Sequence, residues 1–175
     1  ENAWAQRIEI FPLAVSDKPG VVDIYGSGTG ASLLKGWANT PENLVASIPA
    51  TSLDLCLGNR LKSNRCLILI DIEGAEFFAL QGAMKLLQQD PKPIWVIEIC
   101  SYQHQPAGVL VNPHLLETFD LFWNNGYVVY TAEDEPKEVR RSEIQAIAQG
   151  GPDTLGLHNF IFIDPALITS VLSVH

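Results

Sequence analysis

Basic residues are scarce in this 175-residue chain, which has 11 Lys and Arg against 20 Asp and Glu. The formal net charge of −9 argues against nucleic acid or an anionic membrane surface as a partner, because both attract clustered cations. No apolar run approaches the roughly 20 residues needed to cross a bilayer, and the first ten residues lack the regions of a signal peptide. We therefore expect a soluble, cytoplasmic protein that binds neither nucleic acid nor membranes.

Cysteine and methionine are also rare. Cys56, Cys66 and Cys100 are odd in number and form no C-x-x-C pair, so neither a disulfide framework nor a zinc site is indicated. The only methionine is Met84, and we therefore expect a fragment or a processed product of a longer protein. With 47% hydrophobic residues the chain can still build one core, and residues 1–175 are expected to form a single, N-terminally truncated domain.

The most informative segment is CLILIDIEGAE at residues 66–76. Its four consecutive apolar residues predict a strand covered on both faces, as in a parallel sheet packed between helices. Three carboxylates, Asp71, Glu73 and Glu76, follow the strand. Because open sheets of this kind bind ligands beyond the carboxyl ends of their strands, these residues mark the candidate site.

Hydrophobic periodicity and turn residues predict the remaining elements. Strands are expected at residues 7–15, 21–25, 66–72, 94–100, 127–131 and 159–163. Helices are expected from 51 to about 58, 75–89, 113–124 and 142–149, with a long loop at 26–49. This alternation predicts an α/β sandwich whose late strands form an antiparallel edge pair.

These residues resemble the FkbM-type family of S-adenosylmethionine-dependent methyltransferases. The family hallmark is a strand followed by D-[VI]-E-G-A-E and a helix with L-x-G-A, which correspond here to residues 71–76 and 80–83. Collinear matches lie on both sides, at residues 14–17 (AVSD), 31–33 (ASL), 51–54 (TSLD), 97–98 (IE), 125–127 (NGY) and 159–160 (NF). The resemblance therefore covers nearly the whole chain.

The resemblance implies a Rossmann-like class I methyltransferase sheet flanked by helices, with S-adenosyl-L-methionine bound at its switch point. The family's glycine-rich nucleotide loop and ribose-binding acid belong to two strands that precede AVSD, and both are missing. We therefore expect a sheet that lacks its first two strands. The glycine segment 26–30 is expected to be an ordinary loop, because a nucleotide loop there would require two further strands before residue 66.

The resemblance and the position of the strand assign a catalytic role to Asp71, Glu73 and Glu76. Methyl transfer needs in-line approach of a hydroxyl oxygen and an acceptor for its proton, for which Asp71 is the best candidate. The alternatives are a helix cap for Asp71, a backbone bond in the turn for Glu73 and a helix-dipole contact for Glu76. Because three close carboxylates repel, at least one should have a raised pKa or a cationic partner.

Further site residues are expected from their positions near the ends of other strands. Val15, Ser16 and Asp17 are expected to bind the cofactor together with Asp71, and Asp17 would contact the adenine. A turn-forming role is the alternative for Asp17. Glu98, at the end of the neighbouring strand, and His104, in the loop beyond it, are expected to bind the substrate. The alternatives are a strand-end charge that reaches solvent for Glu98 and a surface residue for His104.

The resulting hypothesis is O-methylation of a small-molecule or sugar hydroxyl. Two other classes remain open. One is a non-catalytic α/β interaction domain that forms a homo-oligomer through exposed apolar surface. The other is a metal-dependent hydrolase that uses Asp71, Glu73 and Glu98, although no second set of metal ligands is evident and no metal site is expected.

Overall fold

The computed structural model describes residues 7–168, and within this range seven strands and five α-helices form a mixed α/β fold, as predicted. In chain order these are β1 Ala14–Val15, β2 Gly20–Tyr25, β3 Val45–Thr51, α1 Leu53–Leu57, β4 Leu67–Ile70, α2 Glu76–Gln81, α3 Met84–Leu87, β5 Ile94–Glu98, α4 Leu115–Trp123, β6 Val128–Thr131, α5 Arg141–Ala148 and β7 Asn159–Ile163. None of the helices described combines the length and apolar character needed to cross a bilayer.

The first sheet has the order β1-β3-β2, with β3 parallel to β1 and antiparallel to β2. The predicted strand at 7–15 is wrong except for its last two residues. Pro12 has no N–H to donate, and the amide of Leu13 is used in a tight turn to the carbonyl of Phe11. The prediction also missed β3, most of which falls within the loop expected at 26–49, where glycine and polar residues interrupt any period. Among the described residues β1 pairs only with Ala50 and Thr51 of this strand, so Pro49 lies beyond the end of that neighbour.

The second sheet has the order β4-β5-β7-β6 and carries the core. β4 and β5 are parallel, whereas β7 is antiparallel to both β5 and β6, which confirms the antiparallel pairing of the late strands. Helix α4 packs its aromatic side chains on this sheet, with the rings of Phe122 and Phe162 stacked at 3.8 Å. The largest fully buried side chains include Trp95, Phe119, Phe122, Phe160 and Phe162.

Strand β4 is an edge strand, so the prediction that it is covered on both faces is wrong for the residues described. Its neighbour in the sheet is β5 alone, and Leu67 and Leu69 are 65% and 69% exposed. Ile70, on the opposite face, is buried. The apolar run therefore reflects a surface that no element within residues 7–168 covers.

The predicted helix 75–89 is interrupted at Gly82 and Ala83, which separate α2 from α3. A Cβ atom at Gly82 would lie 2.3 Å from the carbonyl oxygen of Ser16, so only glycine permits this close approach. Helix α3 then begins at Met84, and a side chain from α1 caps its N-terminus. The Asp54 carboxylate accepts the amides of Lys85 and Leu86 at 2.9 and 3.1 Å. The L-x-G-A and TSLD segments thus serve packing and helix capping.

Replacement of Gly82 by alanine should destabilise the protein. The added methyl group would collide with backbone and with Cβ of Ser52 at 2.8 Å, neither of which is a flexible side-chain end, so we expect a loss of about 1–3 kcal/mol. Chemical denaturation measures this loss. Gly20→Ala is the matched control, because nothing lies within 4 Å of its added Cβ, and it should change the free energy of unfolding by less than about 0.5 kcal/mol. Equal stabilities of the two variants would contradict the packing account.

Candidate active site

The turn between β4 and α2 carries the candidate carboxylates and has an unusual backbone. Glu73 has φ +58° and Gly74 has φ +92°, so the chain passes through two successive left-handed residues before the helix begins. Asp71 is exposed, Glu73 is half-buried and Glu76 is buried. Along the turn, the three acidic side chains are therefore increasingly buried.

The glycine of this motif is required by its neighbour as well as by its dihedral angle. The indole ring of Trp37, itself only 2% exposed, lies against Gly74. A Cβ atom there would approach ring carbons of Trp37 to 2.5–2.8 Å. Any side chain at position 74 would consequently displace either the turn or the tryptophan.

Hydrogen bonds from three directions hold the turn. The Ser32 hydroxyl donates to the carbonyl of Glu73 at 2.6 Å, and the Trp37 Nε1–H donates to its Oε2 at 2.8 Å. The amide of Gly74 donates to Oε1 of Glu76 at 3.0 Å. Ser32 fell within a family motif, but sequence reasoning missed Trp37, a lone large aromatic residue in a loop rich in glycine and polar residues.

Burial raises the pKa of Glu76 to about 7, although backbone N–H groups of Glu76, Gly74 and Ile72 partly offset this effect. The charge of Glu98 makes only a small further contribution in the same direction. The expectation of a raised pKa in the acidic cluster is thus confirmed, but its main cause is loss of solvent rather than repulsion between carboxylates.

Glu98 and His104 belong to the same electrostatic cluster. Burial raises the pKa of Glu98, as do a hydrogen bond and the charge of Asp71, while His104 acts in the opposite direction. The charge of Glu73 contributes as well. The structure therefore brings together Asp71, Glu73, Glu98 and His104, although they come from two different strand ends and the loop beyond one of them.

A cavity of about 290 Å³ adjoins this cluster. Asp71 and Glu73 line one side and Val15, at the end of β1, lines another. Ser16 and Asp17 do not line it. The Ser16 hydroxyl donates to Asp17 Oδ1 at 3.1 Å, and Lys18 lies 3.6 Å from Asp17 Oδ2.

The glycine segment 26–30 also reaches this cavity, through Gly28 and Thr29. It forms a single 3₁₀ turn within the connection between β2 and β3. Since β3 then runs antiparallel to β2, the segment lacks the strand–loop–helix arrangement of a nucleotide loop, as predicted. Nowhere in residues 7–168 do three or more His, Cys, Asp or Glu side chains form a group that could hold a metal ion.

A family model described as the methyltransferase FkbM domain matches residues 4–129, well over half of the chain. The chain belongs to the FkbM methyltransferase family. The matched region contains all the candidate residues of this FkbM site, from Val15 to His104. No curated protein and no solved structure gives a significant match to the chain.

The buried Glu76 of the FkbM turn should make stability depend on pH. Its folded-state pKa lies above the ordinary value of 4.5, so its contribution is fully present below pH 4.5 and is lost as the pH rises through about 7. Relative to Glu76→Gln, the unsubstituted protein should lose up to about 3 kcal/mol of unfolding free energy between pH 4.5 and 8. Urea denaturation of both proteins across this range measures the difference. Glu135→Gln, in an exposed turn, is the control, and a pH-independent difference for Glu76→Gln would contradict the account.

Proposed function

We propose that this FkbM-family chain is part of an S-adenosyl-L-methionine-dependent O-methyltransferase that acts on a hydroxyl of a small molecule or sugar. The observation that carries the proposal is the convergence of Asp71, Glu73, Glu98 and His104 beside a cavity whose other side is formed by β1. In α/β sheets this is the edge at which ligands bind.

The described residues can supply the acceptor side of the reaction. Asp71 is exposed and adjoins the cavity, so its carboxylate can accept the proton of an approaching hydroxyl. Glu98 and His104 would orient further hydroxyls of the acceptor by hydrogen bonds. S-adenosylmethionine, when bound, supplies an electrophilic methyl group, and the protein's task is then alignment and exclusion of water rather than covalent catalysis.

The fit to the cofactor is partial. A cavity of about 290 Å³ is at or below the low end of ordinary ligand pockets, which span about 300–1,000 Å³. The portion of the chain described contains no glycine loop that leads from a strand into a helix. Val15 and Asp71 are therefore proposed to form one wall of the cofactor site. Ser16 and Asp17 follow β1 in the chain and do not line the cavity.

Two further strands would complete this site and give the Rossmann-like sheet. Within residues 7–168, β1 pairs only with β3 and β4 pairs only with β5. The cavity lies between the ends of these two edge strands. The exposed Leu67 and Leu69 of β4 would be covered by the helices that connect the added strands, since such helices pack on the faces of a parallel sheet. We propose that these strands are encoded upstream of Glu1.

Cofactor affinity should depend on those strands. The present chain should bind S-adenosylmethionine weakly or not at all, because it lacks the backbone amides and ribose-binding acid of the missing wall. A chain extended at its N-terminus by the upstream strands should bind it. Isothermal titration calorimetry on both proteins makes the comparison, and tight binding by the present chain would refute the proposed gap.

Removal of the proton acceptor should slow methyl transfer. In the extended protein, Asp71→Asn keeps the side-chain shape but removes the base, so kcat should fall by about 10²- to 10⁴-fold. Release of S-adenosylhomocysteine in the presence of polyhydroxylated acceptors provides the assay. Asp134→Asn, in an exposed turn, should retain full activity. An unchanged kcat in Asp71→Asn would eliminate the proposed role.

A non-catalytic interaction domain is the second candidate, because the apolar edge of β4 would also serve self-association. Sedimentation analysis separates the two functions. The interaction domain would form a stable oligomer and show no methyl transfer with or without the upstream strands, whereas the enzyme would gain transfer when they are present.

A further inference from the structure

The connection between β2 and β3, residues 26–44, reaches across to the carboxylate turn and holds it. Its contacts are made by Ser32 and Trp37, which we call the clamp. Ser32 is 1% exposed, and its backbone exchanges two hydrogen bonds with Tyr25 at the end of β2, at 2.8 and 2.9 Å. The clamp is therefore fixed to the first sheet, while its side chains bind the turn that follows β4.

The bond from Trp37 acts on a site side chain and not only on the backbone. An indole N–H is a donor without acceptor capacity, so its bond fixes the position of the Oε2 atom of Glu73. None of the other residues described donates a hydrogen bond to Oε1 of Glu73. One oxygen is thus held and the other is available on a side chain that lines the cavity.

The clamp also contacts the substrate side of the cluster. The ring centroids of Trp37 and His104 are 6.0 Å apart, and the amide of Ala38 donates to the carbonyl of His104 at 2.8 Å. Both of these residues have positive φ, +49° at Ala38 and +67° at His104. One tryptophan therefore links the turn after β4 to the loop after β5.

We propose that Trp37 and Ser32 are positioning residues for methyl transfer, which orient Glu73 and the backbone of the carboxylate turn toward the acceptor hydroxyl. The inference rests on the proposed function. Through Glu73 O and Oε2 the clamp fixes both the turn and the direction of its carboxylate. A displacement of about 1 Å at such a site can cost about 100-fold in rate.

Kinetics of conservative variants test the clamp in the extended, cofactor-binding protein. Trp37→Phe keeps an aromatic ring over Gly74 but removes the N–H donor, and Ser32→Ala removes the second donor. Each should lower kcat by about 10- to 100-fold, with little change in KM for the cofactor. The matched control is Trp95→Phe, which removes an indole N–H that donates to the Tyr127 hydroxyl at 3.3 Å in the core. It should lose stability without a comparable loss of kcat.

A readout independent of turnover uses the present chain labelled with ¹⁵N-tryptophan. Glu73→Gln replaces a charged acceptor by a weaker, neutral one, so the Trp37 indole resonance should move upfield while that of Trp95 stays in place. In uniformly ¹⁵N-labelled protein, Trp37→Phe should in turn shift the amide resonances of Glu73 and Gly74. An unchanged chemical shift of the Trp37 indole in Glu73→Gln would overturn the proposal.

The two levels of the proposal fail in different ways. An active unsubstituted enzyme with a fully active, folded Trp37→Phe variant would overturn the clamp alone. Absence of methyl transfer from the unsubstituted extended protein, with the NMR coupling intact, would overturn the proposed function and with it any catalytic use of the clamp.

Discussion

The packing of the Trp37 ring against Gly74 is the contact on which the rest of the site depends. Because Gly74 has no Cβ to collide with the ring, the turn can follow the left-handed path that directs Glu73 back toward the indole N–H. The same path directs the Gly74 amide at Glu76. A short sequence motif thus acquires its shape from a residue nearly forty positions earlier in the chain.

The acidic side chains at this edge of the sheet lie close together but differ in how deeply they are buried. Glu76 is deep enough for its pKa to rise to about 7, whereas Asp71 remains in contact with solvent. A group of carboxylates can therefore include a member that is readily protonated near neutral pH. This gradation of burial avoids the accumulation of three full negative charges at one point.

Local patterns in the sequence predicted most of the second sheet and the strand end that carries the acidic turn. Strands β5, β6 and β7 and helices α4 and α5 have strong periodicity and clear stop residues, so tertiary contacts did not have to decide them. The prediction failed where distant contacts decide. Gly82 interrupts a helix where the Ser16 carbonyl lies against it, and Pro49 lies in a central strand because the neighbouring β1 ends before it. The exposure of β4 depends on which elements pack against it, and within residues 7–168 its only neighbour in the sheet is β5.

The residues of the candidate site likewise include some that local sequence patterns predict and others that depend on distant contacts. The order of the motif located Asp71, Glu73 and Glu98 at neighbouring strand ends, because parallel strands present their carboxyl ends at one edge. The role of Trp37 could not be predicted, since no local pattern records a hydrogen bond between residues 36 positions apart. Likewise, no local pattern predicts that Asp54 caps α3, because the amides that it accepts belong to the distant Lys85 and Leu86.

The most direct test of the claim that the carboxylate turn faces the methyl-donor site is an NMR titration, with S-adenosylhomocysteine, of the chain extended by its upstream strands. The account predicts shifts in the amide resonances of Val15, Asp71 and Glu73, around the 290 Å³ cavity. Shifts confined to the separate cavity of about 450 Å³ lined by Asp54 and Lys85 would contradict it.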